Sequence, residues 1–87
     1  MYQIDFTSNA ESDLARLDAQ IAQRVLNKLR WLAENFDVIK PEPLAGQWQG
    51  AYKLRVGDYR VLYTYCRQKQ KLIVHFVRHR REVYKLK

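Results

Sequence analysis

Tyr52-Lys-Leu-Arg-Val-Gly-Asp-Tyr-Arg-Val-Leu-Tyr63 decides the architecture of this 87-residue chain. Two alternating segments flank Gly57-Asp58, a pair suited to a two-residue hairpin turn. That turn aligns Val56 with Tyr59, Arg55 with Arg60 and Lys53 with Leu62. Opposite residues share a face, as do alternate residues along one strand. Tyr52, Leu54, Val56, Tyr59, Val61 and Tyr63 therefore form one apolar face, and Lys53, Arg55 and Arg60 collect on the other. Like charges directly across a ladder repel by about 0.2–1 kcal/mol, so such crowding asks for carboxylates or for an anionic ligand. The flanking strand segments carry almost no carboxylates. A solvated basic face and a phosphate site are both open, and clustered Arg and Lys suit phosphate.

Outward from the hairpin, Lys71 to Val77 reads as a third strand after the polar turn Arg67-Gln-Lys-Gln70. A four-residue loop there sets Tyr65 opposite Leu72, Val61 opposite Phe76 and Leu62 opposite His75, with Val77 and His79 following His75 on the open face. Upstream, Asp37 to Gly50 carries Pro41, Pro43, Gly46 and Gly50 and reads as a loop. Ile21, Val25, Leu29, Leu32 and Phe36 recur at helical spacing behind a capping Asp18. Ser8 and Glu11 have the spacing of a capping box for a shorter helix ending near Leu17. Tyr2, Ile4 and Phe6 alternate as a first strand. The expected order is β-α-α-β-β-β followed by a charged tail. This is an α+β two-layer sandwich, a helical hairpin on one face of a mostly antiparallel four-stranded sheet. Residues 1–87 are expected to form a single domain, since a chain this short supports one core.

The formal charge is +7, and its distribution says more than its sum. The first 52 residues hold five basic and seven acidic side chains, whereas only Asp58 and Glu82 offset the basic residues from Lys53 onward. A polyanionic partner, nucleic acid or acidic protein, fits that asymmetry. Cys66 is the only cysteine, which excludes an internal disulfide. It is in keeping with a reducing cytoplasm. No apolar run is long enough for a membrane span. Two histidines and one cysteine lack the paired spacing of a zinc site, and no glycine-rich nucleotide loop is present. His75 has a structural role as its simplest reading, while His79 gains interest from Arg80, Arg81 and Tyr84 close by.

The segment Tyr52–Tyr63, taken with His79-Arg-Arg-Glu-Val-Tyr84, resembles the RelE branch of the RelE/ParE toxin superfamily, and the likeness spans nearly the whole chain. It implies metal-free, cofactor-free, ribosome-dependent cleavage of mRNA in the decoding site. It also implies a toxin of a type II toxin–antitoxin system, an mRNA interferase neutralised by a cognate acidic RelB-type antitoxin. Operator DNA would be bound only through the antitoxin complex. Lys53 and Arg55 match the two basic positions of the first hairpin strand, although lysine is common where Arg55 stands. Arg60 matches the arginine opening the next strand, Arg80 an arginine near the end of the last strand, and Tyr84 the tyrosine of the C-terminal segment. The interval from Arg80 to Tyr84 is shorter than in the best-known member of the branch.

The implied chemistry is attack of a 2′-hydroxyl on the adjacent phosphorus, leaving a cyclic phosphate and a 5′-hydroxyl. It needs proton transfer and stabilisation of phosphate charge. Arg60 and Arg80 suit phosphate, and Lys53 or His79 suit proton transfer. Tyr84 suits orientation of the 2′-hydroxyl, base stacking or anchoring of the tail. Lys53, Arg55, Arg60, Arg78, Arg80 and Arg81 are the expected nucleic-acid contacts. Trp31 and Trp48 are candidate antitoxin contacts, with a core or hinge role equally open. Two other readings remain. One is a ParE-like inhibitor of DNA gyrase without ribonuclease activity. The other is a non-catalytic RNA-binding module.

Overall fold

A computed structural model describes residues 1–85, with side chains as far as Val83. The elements are β1 (Gln3–Phe6), α1 (Ser8–Ala15), α2 (Ala19–Asn35), β2 (Glu42–Pro43), β3 (Tyr52–Val56), β4 (Tyr59–Cys66), β5 (Lys71–His79) and α3 (Arg80–Lys85). A 3-10 turn, Gly46–Trp48, sits between β2 and β3. One sheet runs β1-β5-β4-β3-β2, with β1 parallel to β5 and every other pair antiparallel. The α+β architecture is the expected one, but the sheet has five strands rather than four. The added β2 is two residues long, too short to leave a periodic trace in the sequence.

The hairpin register is as the sequence implies, from Tyr52 opposite Tyr63 to Val56 opposite Tyr59. Gly57 has φ +58° while Asp58 does not have positive φ, the sign pattern of a type II′ turn. A β-carbon at Gly57 would also meet the Arg24 guanidinium at 3.2 Å. Gly57→Ala should therefore cost about 1–2 kcal/mol, seen as a lower thermal midpoint. An unchanged midpoint would contradict this account of the turn.

The apolar hairpin face meets the helices. Val56, Val61 and Tyr63 join Val25, Leu29, Leu32 and Phe36 of the helical layer in one buried cluster, with Leu72, Val74 and Val77 from β5. Phe36 packs against Tyr2, Tyr63 and Tyr65 with ring centroids 4.7–6.2 Å apart, the tilted and edge-on geometry that aromatic quadrupoles favour.

Three local expectations are corrected. The cap of α1 is Thr7, whose hydroxyl accepts from Ala10 N–H, not Ser8 with Glu11. The sheet holds Thr7 extended, because its N–H donates to Val74 and its hydroxyl donates to the His75 carbonyl at 3.1 Å. In β4–β5, Leu62 lies opposite Phe76 and Val61 opposite Val77, while Tyr63 pairs with Val74. His75 is thus the extra residue of a β-bulge. The bulge lets Val74 and Val77, three residues apart, both enter the core, where regular alternation would have turned Val77 outward. Finally, the charged tail begins as α3, packed against β4 and β5.

Candidate nucleic-acid interface

On the sheet face turned away from α1 and α2, β3 carries Lys53 and, at the sheet edge, Arg55, whose side chain also lines the groove beside Trp31 of α2. Both reach Glu42 of β2, which lies directly beside Lys53. The Glu42 Oε2 atom is 2.9 Å from an Arg55 guanidinium nitrogen and 3.5 Å from Lys53 Nζ. Burial alone would push the Glu42 carboxyl up. The Arg55 hydrogen bond and the charges of Lys53 and Arg55 outweigh it, and the net shift is downward. Glu42 is the carboxylate that the basic face lacked in the sequence reading. Lying between Pro41 and Pro43, in a stretch that reads as loop, it gave no sign of facing Lys53.

Arg60 differs from the exposed phosphate ligand that the sequence suggests. It is 9% exposed, and one guanidinium nitrogen donates to the carbonyls of Gly57 and Tyr59, each at 2.9 Å. Arg60 braces the hairpin turn from beneath. Arg80 reaches the same turn from α3: its N–H donates to the Asp58 carbonyl at 2.8 Å, and its Nε lies 3.9 Å from the Asp58 carboxylate. Its side chain remains half exposed. Arg60 and Arg80 therefore meet at Gly57–Tyr59, and Lys53 and Arg55 occupy the strand leading into that turn.

Two further expected site residues, Arg78 and His79, are engaged elsewhere. Arg78 Nε donates at 3.0 Å to Asp13 of α1, a carboxylate only 3% exposed that also accepts from Val77 N–H and from Arg16. The Asp13 carboxyl is raised by burial but lowered overall by these hydrogen bonds and by the Arg78 charge. His79 heads α3: its Nδ1 accepts from Arg81 N–H while Glu82 accepts from His79 N–H at 3.3 Å, a capping box built on histidine. The His79 ring stands edge-on to Tyr59, 5.4 Å away, and Tyr59 belongs to the apolar hairpin face rather than to the face of Arg60. Arg81 is exposed. Tyr84 falls within α3, and its side chain lies outside the described residues.

The open face also carries an apolar patch that the sequence reading missed. Leu62 is 2% exposed although it shares its face with Lys53. Trp48 stands edge-on to Phe76 at 5.8 Å, and Val83 of α3 is buried. The placement of Leu62 was readable from its register opposite Lys53; what covers it was not. On the other side, Trp31 of α2 is 42% exposed, with Lys28 Nζ 4.2 Å from its ring centre. No helix among the described residues is long and apolar enough to cross a membrane.

Known proteins share this fold. The RelBE2 toxin–antitoxin complex of Mycobacterium tuberculosis contains a chain 26% identical, with a TM-score of 0.80 over 90% of both chains. The isolated RelE toxin of Escherichia coli is 21% identical, with a TM-score of 0.75 over the full length of both. A YoeB/ParE toxin from Agrobacterium tumefaciens is 24% identical, with a TM-score of 0.72 over 88% of this chain and 96% of that one. No curated protein sequence matches. The family model for the ParE toxin of type II toxin–antitoxin systems matches residues 4–84. With nearly its whole length matched and its fold that of RelE-type toxins, the chain belongs to the ParE toxin family of type II toxin–antitoxin systems, within the RelE/ParE superfamily.

Proposed function

We propose that this toxin is a RelE-type mRNA endoribonuclease that cleaves in the decoding site of the ribosome, without metal or cofactor, by 2′-hydroxyl attack. The observation that carries this reading is the run of cations from Lys53 and Arg55 to the turn where Arg60 and Arg80 meet. Arg80, half exposed, is the phosphate ligand. Arg60 supports the turn that positions it. Lys53 is the proton carrier, and Tyr84 orients or stacks on the RNA. His79 is a weaker candidate for proton transfer, because its Nδ1 is committed to the α3 cap and its ring to Tyr59.

The test is mRNA cleavage in a translation reaction, with and without ribosomes. Cleavage confined to translating ribosomes supports the proposal. No cleavage by folded protein removes it.

A second reading, gyrase inhibition without RNA cleavage, has two supports: the family model itself and the partial neutralisation of Lys53 and Arg55 by Glu42. A DNA supercoiling assay separates the two. The charge balance also makes Glu42→Gln informative. Freeing two cations should steepen the log–log salt dependence of RNA binding by roughly 0.7 for each new phosphate contact. A slope unchanged from wild type would mean that Glu42 does not compete with phosphate there.

The neutralising partner is an acidic RelB-type antitoxin, and operator DNA is reached only through the resulting complex. An acidic segment fits the groove between α2 and β3, where Arg24, Lys28 and Arg55 flank the exposed Trp31.

A further inference from the structure

The last helix begins on a histidine. A helix leaves its first N–H groups without partners of its own, and two of those in α3 are met from outside. Arg80 N–H donates to the Asp58 carbonyl at 2.8 Å, and Arg81 N–H donates to His79 Nδ1 at 3.2 Å. Serine, threonine and asparagine hold such a bond at any ordinary pH. A histidine holds it only while neutral, because both nitrogens of an imidazolium are donors. Histidine is also the side chain whose charge changes between about pH 5 and 8.

We propose that His79 is a pH-sensitive latch: neutral, it caps α3 and holds Arg80 at the hairpin turn; protonated, it releases both. The release of α3 stands on geometry, and its effect on cleavage rests on the RNA-directed reading above. Protonation adds a cation beside Arg78, Arg80 and Arg81, at the helix end where positive charge is unfavourable. The neighbouring carboxylates are already engaged. Asp13 of α1 accepts from Val77 N–H, Arg78 and Arg16, and Asp58 lies beside Arg80. Tyr59 of β4 offers a ring edge rather than a carboxylate. Glu82 remains, and its Oε1 accepts from His79's own N–H at 3.3 Å. An imidazolium that drew Glu82 to its ring would break that bond, opening the other half of the cap. Either way α3 leaves the turn, and Val83, 6% exposed, leaves its seat.

The Cα chemical shifts of Arg81, Glu82 and Val83 report backbone conformation rather than nearby charge. They are followed by NMR from about pH 8 to about pH 5, together with the His79 ring. The expected result is a move from helical toward coil values with the midpoint of that ring. Loss of a cap should lower the ratio of formed to open α3 roughly fivefold. His79→Asn keeps an acceptor that does not titrate, so its α3 should stay formed throughout. His79→Ala should show the acid pattern of wild type already at the upper end.

Unchanged shifts while the His79 ring titrates, or a loss of helix that persists in His79→Asn, overturn the proposal. Opening of α3 in a protein that cuts no RNA supports the latch and removes the ribonuclease reading instead. In a protein that does cut RNA, the wild-type rate relative to His79→Asn should fall by the same roughly fivefold over the interval. A constant ratio alongside an opening α3 overturns the link to Arg80.

Discussion

Asp13→Ala is expected to lower the unfolding free energy by about 3 kcal/mol at neutral pH, the largest stability effect anticipated for a single substitution here. The carboxylate is 3% exposed and gathers three donors: Val77 N–H, Arg78 Nε and Arg16. Arg16 is mostly in water, so its share is small. The loss comes from the β5 amide and Arg78, both left unpaired at a strand edge that β1 does not reach. For a domain of this size about 3 kcal/mol moves the thermal midpoint by roughly 12–24 °C. Asp13→Asn retains an acceptor and should lose less.

The same carboxylate gives the pH dependence a sign. Its folded-state pKa lies below the ordinary 3.8, so its contribution is fully present above about pH 4. It is lost as pH falls through the folded-state value. Wild type should lose stability on acidification below pH 4, and the Asp13→Ala protein should lose less over that interval. Denaturant unfolding at pH 7 and at pH 3 checks both statements; a parallel decline in the two proteins would contradict the assignment. Because Arg78 immediately precedes the His79 cap and Arg80, this buried pair also anchors the strand that delivers Arg80 to the hairpin turn.

Arg80→Ala and Lys53→Ala should each slow mRNA cleavage by about 10²–10³-fold if Arg80 holds the phosphate and Lys53 moves a proton. Both proteins should melt near wild type. The Arg80 side chain is half exposed, and among the described residues the Lys53 ammonium pairs with the partly exposed Glu42. That separation of activity from stability is why these residues, rather than Arg60, form the decisive pair. Arg60→Ala removes two hydrogen bonds beneath the turn and would confuse lost catalysis with a loosened hairpin. Arg60→Lys, monitored by thermal melting, is the better companion. Arg80→Lys should recover only part of the Arg80 effect, since an ammonium lacks the fork that holds two phosphate oxygens. Wild-type rates in both alanine proteins would exclude these roles.

The hairpin was legible because a two-residue turn sets the register, and the register decides which side chains share a face. From it followed the buried positions of Val61 and Tyr63 and the joint placement of Lys53, Arg55 and Arg60 on one face. The helical stripe from Val25 to Phe36 was legible for the same kind of reason: local periodicity and burial agree. The cap of α1 was missed by one residue. Ser8 and Thr7 are equally good caps in isolation, and only the bonds from Thr7 to β5 choose between them.

The site was legible in its residue types and less so in their employment. Sequence spacing determined that this chain forms a helix-backed hairpin with cations on the far face, because turn chemistry and periodicity are local properties. Tertiary structure alone decided which cations remain available. Glu42 arrives beside Lys53 and Arg55 through the short β2; Asp13 claims Arg78 across 65 residues of chain; the hairpin carbonyls claim Arg60. A charged side chain settles on whatever partner the finished fold brings within a few ångströms, and such partners carry no signature of their own in the local sequence.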